Sequence, residues 1–127
     1  MKLFAFIKRR EGMSREDFLS YWHDQHGPLI RDTPGLGDRT LSYHQYPALA
    51  DDRSGWDGVA VQEFASWQDF LAMLEGPAGE AMRADEGNFI DPDSIRVVFT
   101  DDPVIIVDHA VNSVSPAPPT PRTAQSD

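Results

Sequence analysis

The chain has 127 residues, 40% of them hydrophobic and 25% charged, with a formal net charge of −10 and no cysteine. This length and composition are typical of a soluble globular protein with one domain and one core. The missing thiols exclude cysteine nucleophiles, disulfides and zinc–thiolate sites, and the negative charge argues against nucleic acid as a partner because its phosphates would be repelled.

The first predicted elements are a strand and a helix that ends at a proline. Apolar residues on both faces of Leu3 to Lys8 indicate a strand that is covered on both sides. In the segment from Ser14 to Ile30, Ser14 is a suitable N-cap and apolar side chains recur at helical spacing. Gly27-Pro28 predicts a kink or an end, because proline clashes with the preceding turn. His26 therefore lies where the regular helix gives way.

Two predicted strands follow without an intervening helix. Alternating side chains over residues 40–46 and 58–64 indicate strands that pair antiparallel as neighbours, because only a loop connects them. Tyr43 and His44 lie on opposite faces of the first of these strands, and alternation does not say which face meets the core.

A second helix and a long loop come next. Ser66 can cap the helix, and Gly76-Pro77 interrupts it before a further turn or two. The loop over residues 86–94 carries two large apolar side chains, Phe89 and Ile90, which we expect to be buried.

The last part of the domain contains two short apolar runs, residues 95–99 and 104–107. At least one of them forms the fourth strand, and the other is available for pairing with a second subunit. From residue 113 onward the chain is rich in Pro, Ser and Thr and lacks the apolar residues to offset its ordering entropy, so residues 1–112 are the predicted domain and 113–127 a disordered tail. No apolar run is long enough for a signal peptide or a membrane span, and we expect a cytoplasmic protein without a membrane partner.

The order β-α-β-β-α-β predicts an α+β fold of the ferredoxin-like type, with a four-stranded antiparallel sheet and both helices on one face. The other face of the sheet stays open in a single copy, with Leu3, Ala5, Ile7, Val59 and Val61 as candidate members. An apolar face of this size is a liability without a partner, and two subunits packed sheet to sheet would cover it.

The segment MSREDFLSYWHDQHGPL, residues 13–29, resembles the N-terminal signature of the EthD-like family in the dimeric α+β barrel superfamily. The resemblance is carried by an ordered set of positions, namely Phe18, Tyr21-Trp22, His26 and Pro28-Leu29. It extends to further matching positions over about residues 2–108, which are Pro34-Gly35-Leu36, Asp57-Gly58 and Phe64.

The resemblance implies a barrel formed by the sheets of two subunits, each with a ligand between its own sheet and helices. Relatives in the superfamily include cofactor-free monooxygenases, muconolactone isomerases and aromatic polyketide cyclases. The family's histidine corresponds to His26. In related cyclases another histidine follows a proline after the second helix, whereas Gly79 stands in that place here, which argues against cyclase chemistry of that type.

His26 is the candidate catalytic residue, because an imidazole titrates near neutral pH and can both accept and donate a proton. The alternative is a histidine that bonds to backbone and completes a kinked helix end. His23 lies one turn earlier, so both rings could reach one metal ion, but only Asp24 or His44 could add a third ligand. We therefore predict neither a metal nor a cofactor.

The candidate substrate-binding residues combine aromatic rings with polar groups suited to orienting a phenolic or carbonyl ligand. They are Trp22, His23, Tyr43, Gln62, Trp67 and Phe89. For the two tryptophans the alternative is packing in the core, and for Tyr43 it is packing at a dimer interface.

The sequence therefore predicts a homodimer, packed through its sheets, with a mostly apolar pocket for a hydrophobic small molecule. The leading hypothesis is a cofactor-independent enzyme for an aromatic or polyketide-like substrate, in which His26 moves a proton during dehydration, cyclisation, isomerisation or an oxygen-dependent step. The alternative is a non-catalytic binding or accessory protein that uses the same pocket.

Overall fold

The computed structural model describes residues 1–109 of the chain. Four antiparallel strands form one sheet in the order β2-β3-β1-β4, with β1 at Lys2–Ile7, β2 at Ser42–Pro47, β3 at Gly58–Glu63 and β4 at Arg96–Thr100. The helices are α1 at Arg15–Tyr21, α2 at Gly27–Asp32, α3 at Trp67–Leu74 and α4 at Gly76–Glu86. A π-helical turn, Trp22–His26, joins the first two helices, and a 3₁₀ turn, Gly37–Arg39, precedes β2. The predicted α+β ferredoxin-like fold is confirmed.

Both predicted helix starts are capped as the sequence indicates. The Ser14 hydroxyl accepts a hydrogen bond from the backbone N–H of Asp17 at 3.0 Å, and the Ser66 hydroxyl accepts one from Asp69 at 3.1 Å. Each bond satisfies one of the N–H groups that a helix start leaves without an intrahelical partner.

The helix that carries His26 does not end at Gly27-Pro28, because the π-helical turn before these residues connects α1 directly to α2. Proline lacks an N–H and its ring crowds the carbonyl four residues earlier, and a wider turn relieves that crowding. The backbone N–H of Gly27 accordingly bonds to the carbonyl of Trp22, five residues back. Gln45 on β2 donates a second bond to the same carbonyl at 2.8 Å, so the sheet holds the turn in place.

The two faces of the sheet are assigned by strand register and burial. Leu3 pairs with Gln62 and Ala5 with Ala60, and this face meets the helices. The opposite face carries Phe4, Phe6, Val59, Val61, Tyr46 and Val98. The expectation that Leu3, Ala5 and Ile7 belong to the open face is therefore wrong, while Val59 and Val61 do lie there. Alternation separates the two sets of side chains but does not reveal which set the helices cover.

The core between sheet and helices is divided into two clusters. One joins β1 to α2, α3 and α4 through Leu3, Ile30, Leu36, Phe64, Phe70, Met73 and Met82. The other joins β1 to α1, the π-helical turn and the loop after α4 through Ile7, Phe18, Trp22, Phe89 and Ile90. Side chains of both clusters line one cavity, which therefore lies between them.

The loop after α4 is tied to the end of β1. The backbone N–H of Arg10 bonds to the carbonyl of Phe89 at 2.8 Å, and that of Asp91 bonds to the carbonyl of Lys8 at 3.0 Å. Phe89 and Ile90 are buried, as the sequence predicts. This loop is thus a fixed wall of the core.

The first of the two late apolar runs, residues 95–99, supplies most of β4, which pairs with β1 and spans Arg96–Thr100. Residues 104–107 lie outside the strands, and their side chains are exposed. The tail predicted for residues 113–127, and the domain boundary at 112, lie outside the described residues.

Candidate functional site

A cavity of about 220 Å³ lies between the helix-facing side of the sheet and the helices. Its walls are mostly apolar and include Leu3, Ile7, Ile30, Phe70, Met73, Met82 and Ile90. A few polar side chains interrupt these walls, namely His26, Tyr43, Gln62, Arg83 and Glu86. A concave, mostly apolar space with a small number of polar groups is the usual form of a small-molecule site.

His26 reaches this cavity from the π-helical turn and forms a pair with Asp85 of α4. Nδ1 of His26 lies 2.8 Å from Oδ2 of Asp85, and the His26 side chain is only 5% exposed. A carboxylate accepts hydrogen bonds only, so Nδ1 carries the proton and donates it to Asp85. Nε2 is then the ring nitrogen with a free lone pair, and no group among residues 1–109 bonds to it.

Asp85 is held in its ionised form by three hydrogen bonds. Burial raises the pKa of its carboxyl, but the bonds from Tyr21, His26 and Asn88 together outweigh burial and lower that pKa below its usual value. The phenol of Tyr21 donates to Oδ1 at 2.6 Å, and the amide of Asn88 donates to the Tyr21 oxygen at 3.0 Å. This network fixes the acceptor that orients His26.

His26 is neutral at neutral pH in this setting. Burial lowers the pKa of its imidazole, and the opposing effect of Asp85 does not fully compensate. The ring of Phe89 packs against the imidazole with 4.8 Å between centroids, and Phe89 itself is fully buried. The site thus contains an oriented, uncharged imidazole that can accept a proton at Nε2.

Glu86 is the neighbour of Asp85 on α4, and its side chain lines the cavity. Burial raises the pKa of Glu86 to about 7; the charge of Arg83 lowers it and that of Asp85 raises it. The two adjacent acids therefore differ in protonation near neutral pH, because one accepts three hydrogen bonds and the other faces apolar walls.

A hydrogen-bonded chain closes the β2 side of the cavity. The amide of Gln45 donates to the Tyr43 hydroxyl at 2.8 Å as well as to the Trp22 carbonyl. Burial raises the pKa of Tyr43 to about 12, so its hydroxyl keeps its proton at all physiological pH values. His23 bonds through Nδ1 to the Gln45 carbonyl oxygen on the exposed side of this chain.

The structure brings four of the predicted site residues to the cavity wall, which are Trp22, His26, Tyr43 and Gln62. His23 is exposed and lines an open groove on the outer side of Gln45. Phe89 lies behind the imidazole, where it supports His26 without lining the cavity. Trp67 is 45% exposed and packs on Phe70 and Phe99, away from His26.

The imidazole of His26 bonds to a carboxylate and not to the backbone. The alternative in which His26 bonds to backbone and completes a kinked helix end therefore does not describe it. Gly79 is buried, and a Cβ at this position would collide with the carbonyl of Leu74. A second catalytic histidine of the cyclase type has no room there.

Asp85, Glu86, Tyr21 and Asn88 are the site residues that sequence reasoning missed. Asp85 lies 59 residues from His26 in the chain, so helical spacing could not connect them. One local signal was present: two acids end α4, where the negative end of the helix dipole disfavours them. Residues placed against local preference are often functional.

Within residues 1–109 no three His, Asp or Glu side chains are grouped so as to hold a metal ion. None of the helices described is long and apolar enough to cross a membrane.

Several solved structures share this fold. An EthD family protein from Bacillus halodurans aligns with 15% identity over 79% of this chain and 97% of its own, with a TM-score of 0.58. An EthD-like protein from Ralstonia eutropha has 21% identity over 76% and 87% of the two chains, with a TM-score of 0.55. A dimeric protein of ferredoxin-like fold from Bacteroides fragilis has 15% identity over 76% and 90%, with a TM-score of 0.59. At these identities the likeness establishes the fold alone.

No curated protein matches this sequence. A family model described as the EthD domain matches residues 10–93, a range that includes the π-helical turn with His26, the strands β2 and β3 and the two acids that end α4. The chain therefore belongs to the EthD domain family.

Proposed function

We propose that this protein is a cofactor-independent enzyme that moves a proton on a hydrophobic, aromatic or polyketide-like small molecule held in the cavity. The observation that carries the proposal is the pair formed by His26 and Asp85 at the cavity wall. A histidine whose Nδ1 proton is held by a carboxylate presents Nε2 as a base and can return the proton in a later step.

The surroundings of the pair favour this role over a purely structural one. Burial keeps the imidazole uncharged by lowering its pKa, while Asp85 stabilises the imidazolium formed when Nε2 accepts a proton. The mostly apolar walls of the cavity match a hydrophobic ligand, and such a ligand would displace water from the reacting atoms. Proton abstraction beside a carbonyl, followed by dehydration, cyclisation, isomerisation or reaction with oxygen, lies within the reach of such a site.

Proton transfer can be tested without knowing the natural substrate. We expect the wild-type protein to accelerate exchange of the acidic C–H protons of 2-tetralone for deuterium in D₂O, followed by proton NMR. His26→Ala should reduce the protein-dependent exchange to background. Asp85→Asn should reduce the exchange by about a hundredfold or more. The amide of Asn can donate an N–H to Nδ1, and this stabilises the tautomer whose proton is on Nε2, which cannot act as the base.

His44→Ala is the matched control, because His44 is an exposed imidazole on the opposite face of the sheet and lies outside the cavity. This variant should exchange protons like the wild type. Wild-type exchange no faster than that of His26→Ala, in samples shown to bind 2-tetralone, would contradict the proposal.

A non-catalytic binding protein is the second candidate, and one specific observation favours it. No serine, threonine, cysteine or lysine side chain accompanies His26 among the described residues lining the cavity. A natural ligand recovered chemically unchanged after prolonged incubation would support this alternative, and turnover would exclude it.

The proposal includes a homodimer formed by the open faces of two sheets. Phe4, Phe6, Val59 and Val98 give this face a continuous apolar surface, and Val98 is 51% exposed in the single chain. Structural relatives such as the Bacteroides fragilis protein are dimeric. Packing two such faces together would remove this surface from water.

A further inference from the structure

Gln62 carries a buried polar atom without a partner. Its amide nitrogen Nε2 is buried and bonds to no other group of the described residues, and the residue as a whole is 8% exposed. Among residues 1–109 it is the one buried side-chain nitrogen or oxygen that has no hydrogen-bond partner. A buried unpaired amide is costly, and native proteins retain such groups where a ligand or a bound water completes the hydrogen bonds.

The position of Gln62 points to a ligand. The side chain lies on the helix-facing side of β3, between Leu3 on β1 and Tyr43 on β2 in the strand register. All three side chains line the cavity that contains His26. The unpaired donor therefore belongs to the same cavity as the proposed base.

Glu86 lines the same space from α4. The charges of Arg83 and Asp85 on the same helix act on Glu86, its own charge acts on Tyr43 of β2, and His26 lines the same cavity from the π-helical turn. A carboxyl group in its neutral form is a hydrogen-bond donor through its O–H. The cavity thus offers two donors, one amide and one acid, from opposite layers of the fold.

We infer that Gln62 and Glu86 select the ligand by donating hydrogen bonds to a carbonyl oxygen, and that the ligand is an uncharged carbonyl compound of one or two rings. The ring count follows from the cavity volume of about 220 Å³, which is smaller than most drug-sized sites. This inference rests on the proposed function only in taking the cavity as the ligand site, and does not require turnover.

Charge argues against a carboxylate ligand. Asp85 is ionised next to the cavity, and Glu86 would be forced to remain neutral beside a second acid. Arg83, whose Nη1 donates to the carbonyl of Leu74 at 3.0 Å, contributes one positive charge to this wall, and the negative charge of Asp85 offsets it. A neutral carbonyl compound satisfies the donors without adding negative charge.

The test compares two ligands of nearly the same shape, 1-tetralone and the parent hydrocarbon tetralin, by NMR titration of the apo protein. We expect the wild type to bind the ketone about tenfold or more tightly than the hydrocarbon. Gln62→Leu should lose most of that preference and bind tetralin as well as the wild type does. Glu86→Leu should do the same, whereas Glu86→Gln, which keeps a donor, should retain part of the preference.

Met82→Leu is the matched control, since Met82 lines the same cavity with an apolar side chain of similar volume. It should keep the ketone preference. Gln62→Leu should also melt at or above the wild-type temperature, which shows that any loss of binding is not a loss of folding.

The outcomes separate this inference from the proposed function. Equal binding of both ligands by the wild type, no measurable binding of either, or full ketone preference in Gln62→Leu would each overturn it. His26→Ala should keep the ketone preference while losing proton exchange. A wild type that prefers the ketone but exchanges no protons would contradict the proposed function and leave this inference standing.

Discussion

At the scale of single residues, two adjacent acids on α4 have opposite environments. Asp85 accepts hydrogen bonds from three side chains, which lower its pKa, whereas burial raises the pKa of Glu86 to about 7. Environments that separate the pKa values of neighbouring groups are a recurring property of acid–base sites. Here they leave an anion to orient His26 and, facing the ligand, an acid whose neutral form is well populated near neutral pH.

The raised pKa of Glu86 has a consequence for stability. Below pH 4.5 the carboxyl is neutral in both the folded and the unfolded chain, and it contributes nothing. Between pH 4.5 and 7 the unfolded chain loses this proton first, so the free energy of unfolding falls as pH rises. Glu86→Gln removes the penalty and should be more stable than the wild type at pH 8.5 by about 2–3 kcal/mol. Urea unfolding at pH 5 and pH 8.5 measures this difference.

The other titratable groups near Glu86 are Arg83, Asp85, Tyr43 and His26, and all of them remain in the variant. Glu80→Gln is the matched control, because Glu80 is an exposed acid on the same helix. It should change stability little at either pH. An equal difference between Glu86→Gln and the wild type at both pH values would contradict the burial of this carboxyl.

At the scale of the elements, the orientation of His26 depends on how the π-helical turn sits on the sheet. Trp22 opens the turn and is 1% exposed, and its indole lies directly on Gly58 at the start of β3. A Cβ at position 58 would come within 2.6 Å of the indole ring. Gly58 therefore provides the space that lets the turn approach the strand.

Gly58→Ala should destabilise the protein by about 1–3 kcal/mol, because the indole must shift in a packed core. Displacement of Trp22 should also reduce the proton exchange that depends on His26, four residues away on the same turn. Thermal unfolding and the 2-tetralone assay measure the two effects.

Gly87→Ala serves as the control for this change. Gly87 has helical backbone angles, and the nearest atom to an added Cβ lies at an ordinary contact distance of 3.5 Å. This substitution should leave both stability and exchange close to those of the wild type. A similar result for Gly58→Ala would mean that Trp22 does not position the turn.

The helices and strands themselves were predictable, because their signals lie in residues close together in the sequence. These signals are the hydroxyl caps at Ser14 and Ser66 and the alternation of side chains along the strands. The partners of His26 were not predictable. Asp85 is brought to the imidazole by the packing of α4 against the π-helical turn, and Pro28 predicted a break but not a wider turn that continues the helix. Local pattern predicts local structure, whereas a site assembled from three elements requires the tertiary arrangement.

At the scale of the whole molecule, the helix-free face of the sheet is where a second copy would bind. This face holds Phe4, Phe6 and Val59 in adjacent register positions and is covered by no helix of the described residues. The cavity lies on the opposite face, within one subunit. The proposed dimer contact and the proposed ligand site therefore lie on separate sides of the sheet.

Val59→Lys should weaken the proposed dimer by at least a hundredfold, because it buries an unpaired charge in the interface. The monomer should stay folded, since the new side chain faces solvent there. Analytical ultracentrifugation with circular dichroism distinguishes a folded monomer from an unfolded chain.

Leu49→Lys is the control, because Leu49 is 77% exposed in the loop after β2. It should leave the oligomeric state unchanged. A wild type that sediments as a monomer, or a Val59→Lys variant as dimeric as the wild type, would contradict sheet-to-sheet assembly.

The central claim is that Asp85 holds His26 as a neutral base with its free lone pair on Nε2. The most direct measurement is nitrogen-15 NMR of histidine-labelled protein at pH 7, with the His26 signals assigned by comparison with His26→Ala. We predict a neutral ring protonated at Nδ1, and a change in that tautomer in Asp85→Asn. A ring protonated at Nε2, or an imidazolium at pH 7, would show that His26 is not the base described here.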